Sequence, residues 1–195
     1  MTPPVALYDA SVLYPSLIRN LLMHLAVGGL VAARWTVQIH DEWTRNLLAD
    51  RADLTLERLA RTRRFMDQAV PDALVDSYED LIPGLDLPDA DDRHVLAAAI
   101  TAQAEMVVAF NLRHFPAAAL EPRHLQALTP DLLLCRLLDH DAQATEDVLE
   151  TLRRSLRQPA YTPQALLDRL EQVGLPVAAD RLRGWTAGSG VDTLD

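Results

Sequence analysis

Two hydrophobic patterns alternate along the first 128 residues. Short, β-rich apolar runs are typical of buried strands, whereas apolar residues recurring at three and four positions are typical of helices that bury one face. The predicted elements are, in chain order, strand 5–8, helix 16–30, helix 36–48, helix 54–69, strand 73–78, helix 92–104 and strand 106–110.

This alternation predicts an α/β fold, in which a small parallel sheet carries helices on both faces. Ligands of such sheets bind beyond the carboxyl ends of the strands. Asp9 directly follows the first predicted strand, and Asn111 directly follows the last. We therefore expect both side chains at the same edge of the sheet.

Beyond residue 128 the pattern is helical throughout. Thr129-Pro130 and Thr162-Pro163 are typical helix starts, with threonine as the cap and proline in the first turn. Gly174 and Pro176 end the helix that starts at Thr162-Pro163. The other predicted helices cover residues 131–139, 142–156 and 178–183. The domain prediction is residues 1–128 for the α/β domain, 129–186 for an all-helical extension and 187–195 for a disordered tail.

The composition is that of an ordinary globular protein. A chain of 195 residues and 21.6 kDa can bury a core without disulfides or structural metals. The lone Cys135 excludes an intramolecular disulfide and fits a reducing compartment. A membrane span needs about 20 consecutive apolar residues, which the sequence lacks, and the first residues do not have the pattern of a signal peptide. We expect a cytoplasmic protein with no membrane partner.

The net charge and the absence of lysine exclude several classes of protein. With 18 basic and 28 acidic residues the formal net charge is −10, which argues against a general nucleic-acid binder. It leaves room for an enzyme that holds metal ions in an acidic pocket. Every basic residue is arginine, which excludes a P-loop lysine, a Schiff-base lysine and a Ser-Lys dyad.

A set of acidic residues is spread over the predicted elements. It comprises Asp9, Glu42 in the segment HDEW, Asp89, Asp91 and Asp92 in LPDADDRHVLAAA, and the amide Asn111. Taken singly, each acid could be a turn residue, a helix cap or part of a solvated face. Taken together, two unit charges about 5 Å apart repel by roughly 3 kcal/mol at an effective dielectric near 20, so a cluster needs a cation or a raised pKa. Oxygen ligands suit Mg²⁺ or Mn²⁺, which can activate a water toward a phosphodiester.

Four segments, in this order and at this spacing, resemble a PIN domain and in particular the VapC toxin ribonucleases. They are YDASVLYPS, HDEW, LPDADDRHVLAAAI and VVAFNLRHFP. The resemblance covers roughly residues 5–128, and the helical segment after it is similar to an extension found in one VapC subgroup. It implies a Mg²⁺- or Mn²⁺-dependent nuclease with a parallel sheet and a carboxylate pocket.

The resemblance also implies roles for individual residues. Asp9 and Glu42 would be metal ligands, and Asp92 best matches the third acid, with Asp91 and Asp89 as fallbacks. Asn111 would complete the catalytic site with its amide oxygen.

One position departs from the family pattern. Many relatives have an aspartate where AFNLRHFP has His114. Three roles stay open for this auxiliary candidate: His114 could ligate Mn²⁺ when neutral, contact a phosphate when protonated, or point to solvent. We favour the orientation toward solvent.

Other polar residues near the motifs allow more than one role. Ser11 could hold Asp9 or a water at the metal, as the resemblance implies, or could make an ordinary loop hydrogen bond. His94 follows Asp92 by two positions on one predicted helix, so it should face elsewhere and be structural. His40, two positions before Glu42, and the aromatic Tyr8 and Tyr14 are interpreted as structural or packing residues.

The arginines cluster between residues 34 and 64. We expect one or more of Arg45, Arg63 and Arg64 to contact RNA phosphates. Arg58 and Arg61 are assigned to a solvated helix face, with a pair between Glu57 and Arg61 at helical spacing.

A leucine-rich helix opens the extension, and most of it should pack on the main domain with Cys135 as an inert buried thiol. An apolar groove left over could take a partner helix, and the resemblance implies an antitoxin.

The sequence thus predicts a metal-dependent endoribonuclease, the toxin of a type II toxin–antitoxin pair. The resemblance suggests a transfer or ribosomal RNA substrate and a homodimer. Two alternatives stay open: a catalytically weakened PIN-like module that binds RNA or a protein, which the His114 departure favours, and a helical interaction protein with an incidental acidic patch.

Overall fold

The structure of the protein is a computed structural model, which describes residues 2–157 and 160–184. Its sheet has four parallel strands in the order β2-β1-β3-β4. The strands are β1 (Val5–Tyr8), β2 (Ala32–Arg34), β3 (Met106–Val108) and β4 (Gln126–Leu128). The chain passes from β1 to β2 on one side and then returns past β1 to β3 and β4. Since parallel crossovers are right-handed, this reversal places the two sets of crossover helices on opposite faces. The predicted α/β class is confirmed.

Helices account for most of the remaining chain. They are α1 (Ala10–Leu13), α2 (Ser16–Val27), α3 (Val37–Asp50), α4 (Leu56–Ala69), α5 (Arg93–Thr101), α6 (Ala117–Leu120), α7 (Pro130–His140), α8 (Ala142–Ser155), α9 (Pro163–Gln172) and α10 (Pro176–Arg181). Among these described helices, none combines the length and the apolar character needed to cross a membrane.

The predicted strand over residues 73–78 is wrong. Leu74 makes only a single parallel bridge, to Trp35 beyond the end of β2, and Ser77 then adopts a positive φ of 57°. The left-handed residue turns the chain before a ladder can form. The edge strands β2 and β4 were not predicted, because three residues each, with sequences AAR and QAL, show no strand periodicity.

Other elements begin or end a few residues away from their predicted bounds. The short helix α1 begins immediately after Asp9, and a 3₁₀ turn over Ala90–Asp92 precedes α5. The predicted loop after Asn111 contains a 3₁₀ turn over Leu112–His114. These turns bring polar residues to the carboxyl edge of the sheet.

The core is continuous from the sheet into the helical extension. Tyr8, Trp35 and Trp43 are fully buried, which confirms Tyr8 as a packing residue. Tyr14 is only half-buried, and its hydroxyl donates to Asp50 at 2.8 Å.

The helical extension packs tightly on the α/β domain. Leu133, Leu134, Leu137 and Leu138 of α7 are buried, as expected for a helix that packs on the main domain, and Cys135 is buried beside them. Thr162 caps α9 as predicted, by accepting from the backbone N of Ala165. The predicted disordered tail, residues 187–195, lies outside the described residues, and the division into domains stays a prediction.

Candidate active site

Asp9 lies at the topological switch point of the sheet, because the chain leaves β1 toward β2 while β3 lies on the other side of β1. The residue is the N-cap of α1, and its Oδ2 accepts from the backbone N of Ser11 at 2.8 Å. Its own backbone N donates to the carbonyl of Val108 at 3.0 Å. Asp9 is 7% exposed, so its carboxylate is buried and fixed in orientation.

Ser11 connects the two central strands. Its Oγ accepts from the backbone N of Phe110, just beyond β3, at 3.1 Å. This is a loop hydrogen bond, and the backbone amide of Ser11 is the group that contacts Asp9. Contact of the hydroxyl with a water at the metal stays a prediction. Ser11 thereby holds Asp9 close to the segment that carries Asn111.

Glu42 reaches the site from α3, and the structure gives it a partner that was not predicted. His94 Nε2 lies 2.9 Å from Glu42 Oε1, and the more distant Nε2 of Gln38 lies 3.4 Å from the same oxygen. The side chain of His94 is 4% exposed, and its Nδ1 has no hydrogen-bond partner among the described residues. Since an ionised carboxylate only accepts hydrogen bonds, Nε2 is the donor.

The prediction that His94 faces away from the site is wrong. It assumed that Asp92 and His94 lie on one regular helix, whereas Asp92 lies in the 3₁₀ turn that precedes α5. A sequence signal was present, because His94 directly precedes the apolar run VLAAAI, and a histidine buried beside such a run requires a polar partner. His40 does point away, toward Trp43 and Asp67, which confirms its structural role.

Asp92 contacts the residue that departs from the family pattern. His114 Nδ1 lies 2.6 Å from Asp92 Oδ2 and 3.9 Å from Asp89 Oδ2. The expected orientation of His114 toward solvent is therefore wrong: the 3₁₀ turn after Asn111 directs the ring, which is 22% exposed, onto the carboxylates.

The electrostatics of Asp92 reflect this crowded position. Burial raises the pKa of Asp92 above its ordinary value, and the carboxylates of Asp9 and Asp89 raise it further. The hydrogen bond with His114 acts in the opposite direction and lowers the pKa. The influence of Asp9 shows that the acids of β1 and of the turn before α5 share one electrostatic environment.

A single open cavity of about 420 Å³ brings these groups together. Its lining includes Asp9, Ser11, Gln38, Glu42, Arg45, Asn46, Asp91, Asp92 and Asn111. The four residues predicted to be catalytic thus lie on one cavity, which we call the carboxylate cavity. Asp89 joins this group through its position near Asp92 and His114, and its Oδ1 accepts from the backbone N of Asp91.

The donor set fits a divalent metal ion. One ligand atom each from Asp89, Asp92 and His114 lie within 4.8 Å of one another. Carboxylate oxygens with one imidazole nitrogen suit Mn²⁺ better than Mg²⁺. Among the described residues this group differs from the predicted ligands Asp9, Glu42 and Asp92, because only Asp92 belongs to both sets.

The predicted RNA-contacting arginines occupy different environments. Arg45 lines the carboxylate cavity. Arg63 is engaged with Asp41, its Nη1 lying 2.6 Å from Oδ1, while Arg64 is exposed. The predicted pair between Glu57 and Arg61 is absent from the ion pairs of the described residues; Arg61 instead lies over the ring of Phe65.

Comparison with known proteins agrees with this geometry. The family model described as "PIN domain" matches residues 5–113, more than half of the chain. The chain belongs to the PIN-domain family. A second family model, described as "VapC50 C-terminal domain", matches residues 130–184, so the recognition of a VapC-type PIN protein with a helical extension is confirmed.

One curated relative matches over part of its length. "Putative ribonuclease VapC50" of Mycobacterium tuberculosis (strain ATCC 25618 / H37Rv) is 40% identical to this PIN protein over 112 residues. The match covers 57% of the chain and 66% of the relative, slightly under two thirds. No solved structure matches the chain significantly.

Proposed function

We propose that this PIN-domain protein is a metal-dependent endoribonuclease and the toxin of a type II toxin–antitoxin pair. The observation that carries the proposal is the convergence of Asp9, Glu42, Asp92 and Asn111 on one cavity at the switch point of the sheet. A relative named as a ribonuclease supports the same activity.

The residues of the cavity have distinct parts in the proposed reaction. Asp9, Glu42 and Asp92 would hold the metal, Mg²⁺ or Mn²⁺, and Asn111 would add an amide oxygen. The bound metal would supply Lewis acidity to a phosphodiester and lower the pKa of the attacking water.

The surrounding side chains fix these groups before substrate arrives. The Ser11 amide orients Asp9, His94 orients Glu42, and His114 orients Asp92. Arg45 places a positive charge at the edge of the same cavity, where a phosphate of the RNA would lie. Such preorganisation means that little side-chain ordering is needed when the substrate binds.

Partners and location follow from this proposal. We propose an RNA substrate, with transfer or ribosomal RNA as the class to test first, a cognate antitoxin, a homodimeric state and a cytoplasmic location. The family assignment and the relative's name support an RNA substrate and an antitoxin.

The experiment is cleavage of a mixed pool of transfer RNA and structured RNA by the purified protein. Parallel reactions contain Mn²⁺, Mg²⁺ or EDTA, and Asp9→Asn protein is the matched control because asparagine keeps the size of the side chain. We expect discrete cuts that require metal and fall by about 100-fold or more in the variant. Equal cutting in EDTA, or equal cutting by Asp9→Asn, would contradict the proposal.

A second candidate function is a weakened PIN module that binds RNA without cleaving it. The contact between His114 and Asp92 favours it, because a histidine brings no negative charge to a position where the family pattern has a carboxylate. An increase of the melting temperature with Mn²⁺, in protein that cuts none of the RNA, would select this second candidate.

A further inference from the structure

A second groove lies on the face formed by the start of α2, the end of α3, α4 and α9. Its volume is about 610 Å³, larger than the carboxylate cavity. Arg51, Arg58, Arg61 and Arg169 line it together with Tyr14 and Phe65, and we call it the arginine groove. Among the described residues, no aspartate or glutamate lines it. In a chain with a net charge of −10, such a concentration of positive charge needs an explanation.

Three of these guanidinium groups have no acidic partner among the described residues, and Arg169 donates to the side-chain oxygen of Gln172 at 3.0 Å. In the part of the chain that the structure describes, Arg58, Arg61 and Arg169 have no carboxylate within ion-pair distance. Arg51 is paired with Asp53, with both side chains more than half exposed. Exposed pairs of this kind are weak and exchange readily for a stronger anion.

The wall of the groove adds one buried cation. Arg19 donates to the carbonyl of Leu13 and lies over the ring of Trp43 at 4.7 Å. Burial lowers the pKa of Arg19 to about 10, so the group remains charged near neutral pH. On the side toward the carboxylate cavity, Asp50 accepts from the Tyr14 hydroxyl at 2.8 Å.

An exposed aromatic ring lies among the arginines. Phe65 is 55% exposed, and the guanidinium of Arg61 lies 5.2 Å from its ring centroid. Alternating cations and accessible aromatic faces are how proteins bind single-stranded nucleic acid, since phosphates pair with the cations and bases stack on the rings. An acidic peptide would use the arginines but would not need the ring.

A third, intermediate cavity shares lining residues with both the arginine groove and the carboxylate cavity. Ala10, Ser11 and Asn46 line both the carboxylate cavity and a smaller intermediate cavity of about 350 Å³. The wall of this intermediate cavity includes Tyr14, which also lines the arginine groove. The intermediate cavity thus lies between the acids and the arginine groove, with the carboxylate of Asp50 in its own lining.

We propose that the arginine groove binds the single-stranded segment of the RNA next to the scissile phosphodiester. Phosphates contact Arg58, Arg61 and Arg169, and one base stacks on Phe65. The inference rests on the proposed nuclease function, and it gives the helical extension a part in substrate binding, because Arg169 belongs to α9.

The experiment measures binding of a 5′-labelled 20-nucleotide oligouridylate in EDTA at several salt concentrations. The groove variant carries Arg58→Gln, Arg61→Gln and Arg169→Gln. The charge-matched control carries Arg123→Gln, Arg136→Gln and Arg157→Gln, all exposed arginines outside both cavities. Because only exposed side chains change, both variants should keep the melting temperature of the wild type.

We expect the groove variant to bind about tenfold more weakly or worse. The slope of log K against log salt should become shallower by about 2, since each phosphate contact to a single strand contributes about 0.7. The control should stay within about twofold of the wild type. Equal affinity of the groove variant and the wild type, or an equal loss in the control, would overturn the inference.

Two further arms separate RNA from an acidic protein segment. Phe65→Leu should weaken the RNA complex about fivefold, because stacking is lost, and should leave binding of a 20-residue polyglutamate unchanged. Polyglutamate that binds as tightly as RNA would reassign the groove to an acidic protein partner.

Failure of this inference is distinguishable from failure of the nuclease proposal. Wild-type protein that binds RNA through the groove but cuts nothing with Mn²⁺ contradicts only the nuclease. Metal-dependent cutting with groove-independent binding contradicts only the inference.

Discussion

His94 illustrates how one buried side chain can control a catalytic carboxylate. Its Nε2 is 2.9 Å from Glu42 Oε1, and the imidazole lies in the buried start of α5. Groups that orient metal ligands through hydrogen bonds commonly account for a 10- to 100-fold difference in metal affinity or activity.

Two substitutions of His94 test this role. A glutamine places its side-chain nitrogen where Nε2 lies, whereas an asparagine is too short to reach Glu42. We expect His94→Asn to weaken Mn²⁺ binding by about tenfold or more and His94→Gln to restore most of it. Titration calorimetry measures both affinities, and equal loss in the two variants would show that the imidazole serves packing alone.

A second histidine, His114, contacts the carboxylate of Asp92. Replacement by aspartate removes the hydrogen bond to Asp92 and adds a negative charge near Asp89 and Asp92. We expect metal-free His114→Asp to lose about 1–2 kcal/mol of unfolding free energy and to gain a larger increase of melting temperature with Mn²⁺.

His114→Asn is the matched control for that charge, because it has the size of aspartate and is neutral. Thermal unfolding with and without Mn²⁺ compares the two variants. A metal response of His114→Asp no larger than that of His114→Asn would contradict the expected gain.

At the scale of secondary structure, the extension is joined to the α/β domain by close helix contacts. Gly28 ends α2, and a Cβ added there would lie 2.6 Å from Cγ2 of Val148 on α8. A second contact has the same character, since a Cβ at Gly174, with φ of 104°, would meet the ring of Phe110 at 3.3 Å. These approaches require glycine.

A double-mutant cycle at the α2–α8 contact tests this packing. Gly28→Ala should destabilise the protein by about 1–2 kcal/mol, because Val148 is β-branched and cannot move aside freely. Adding Val148→Ala should recover at least about 0.5 kcal/mol relative to the sum of the single changes. Urea unfolding measures all four proteins, and strict additivity would mean that the two helices do not touch in solution.

At the scale of the whole molecule, metal binding should couple distant parts of the chain. The acids come from the end of β1, from α3 and from the turn before α5, so a bound ion links elements far apart in sequence. In the metal-free protein their charges repel. A bound cation would offset this repulsion and thereby increase the free energy of unfolding.

We expect Mn²⁺ at about 100 times its dissociation constant to add roughly 2.7 kcal/mol of unfolding free energy. For a chain of this size that corresponds to an increase of the melting temperature of about 5–10 °C. The double variant Asp9→Asn, Asp92→Asn should lose most of this response, while Asp53→Asn, an exposed acid outside the site, should keep it. Equal responses in the two variants would place the metal elsewhere.

The sequence by itself determined the α/β class of the fold and predicted the candidate site. Strand patterns at residues 5–8 and 106–110, with helices between them, were sufficient for a parallel sheet, and strand ends located Asp9 and Asn111. The resemblance to PIN domains then suggested Glu42 and Asp92, which line the same cavity. The strands and the residues at their ends follow from local patterns and from a topological rule that parallel sheets obey.

Tertiary structure decided what depends on contacts between distant segments. The short strands β2 and β4 form because they pair with β1 and β3. Each has only three residues, too few to show the alternation of polar and apolar residues that is typical of a strand. The orientation of His94 toward Glu42 and of His114 toward Asp92 comes from 3₁₀ turns and helix packing that a sequence pattern does not encode. The arginine groove arises for the same reason, since its cations come from α3, α4 and α9 and meet only when those helices pack.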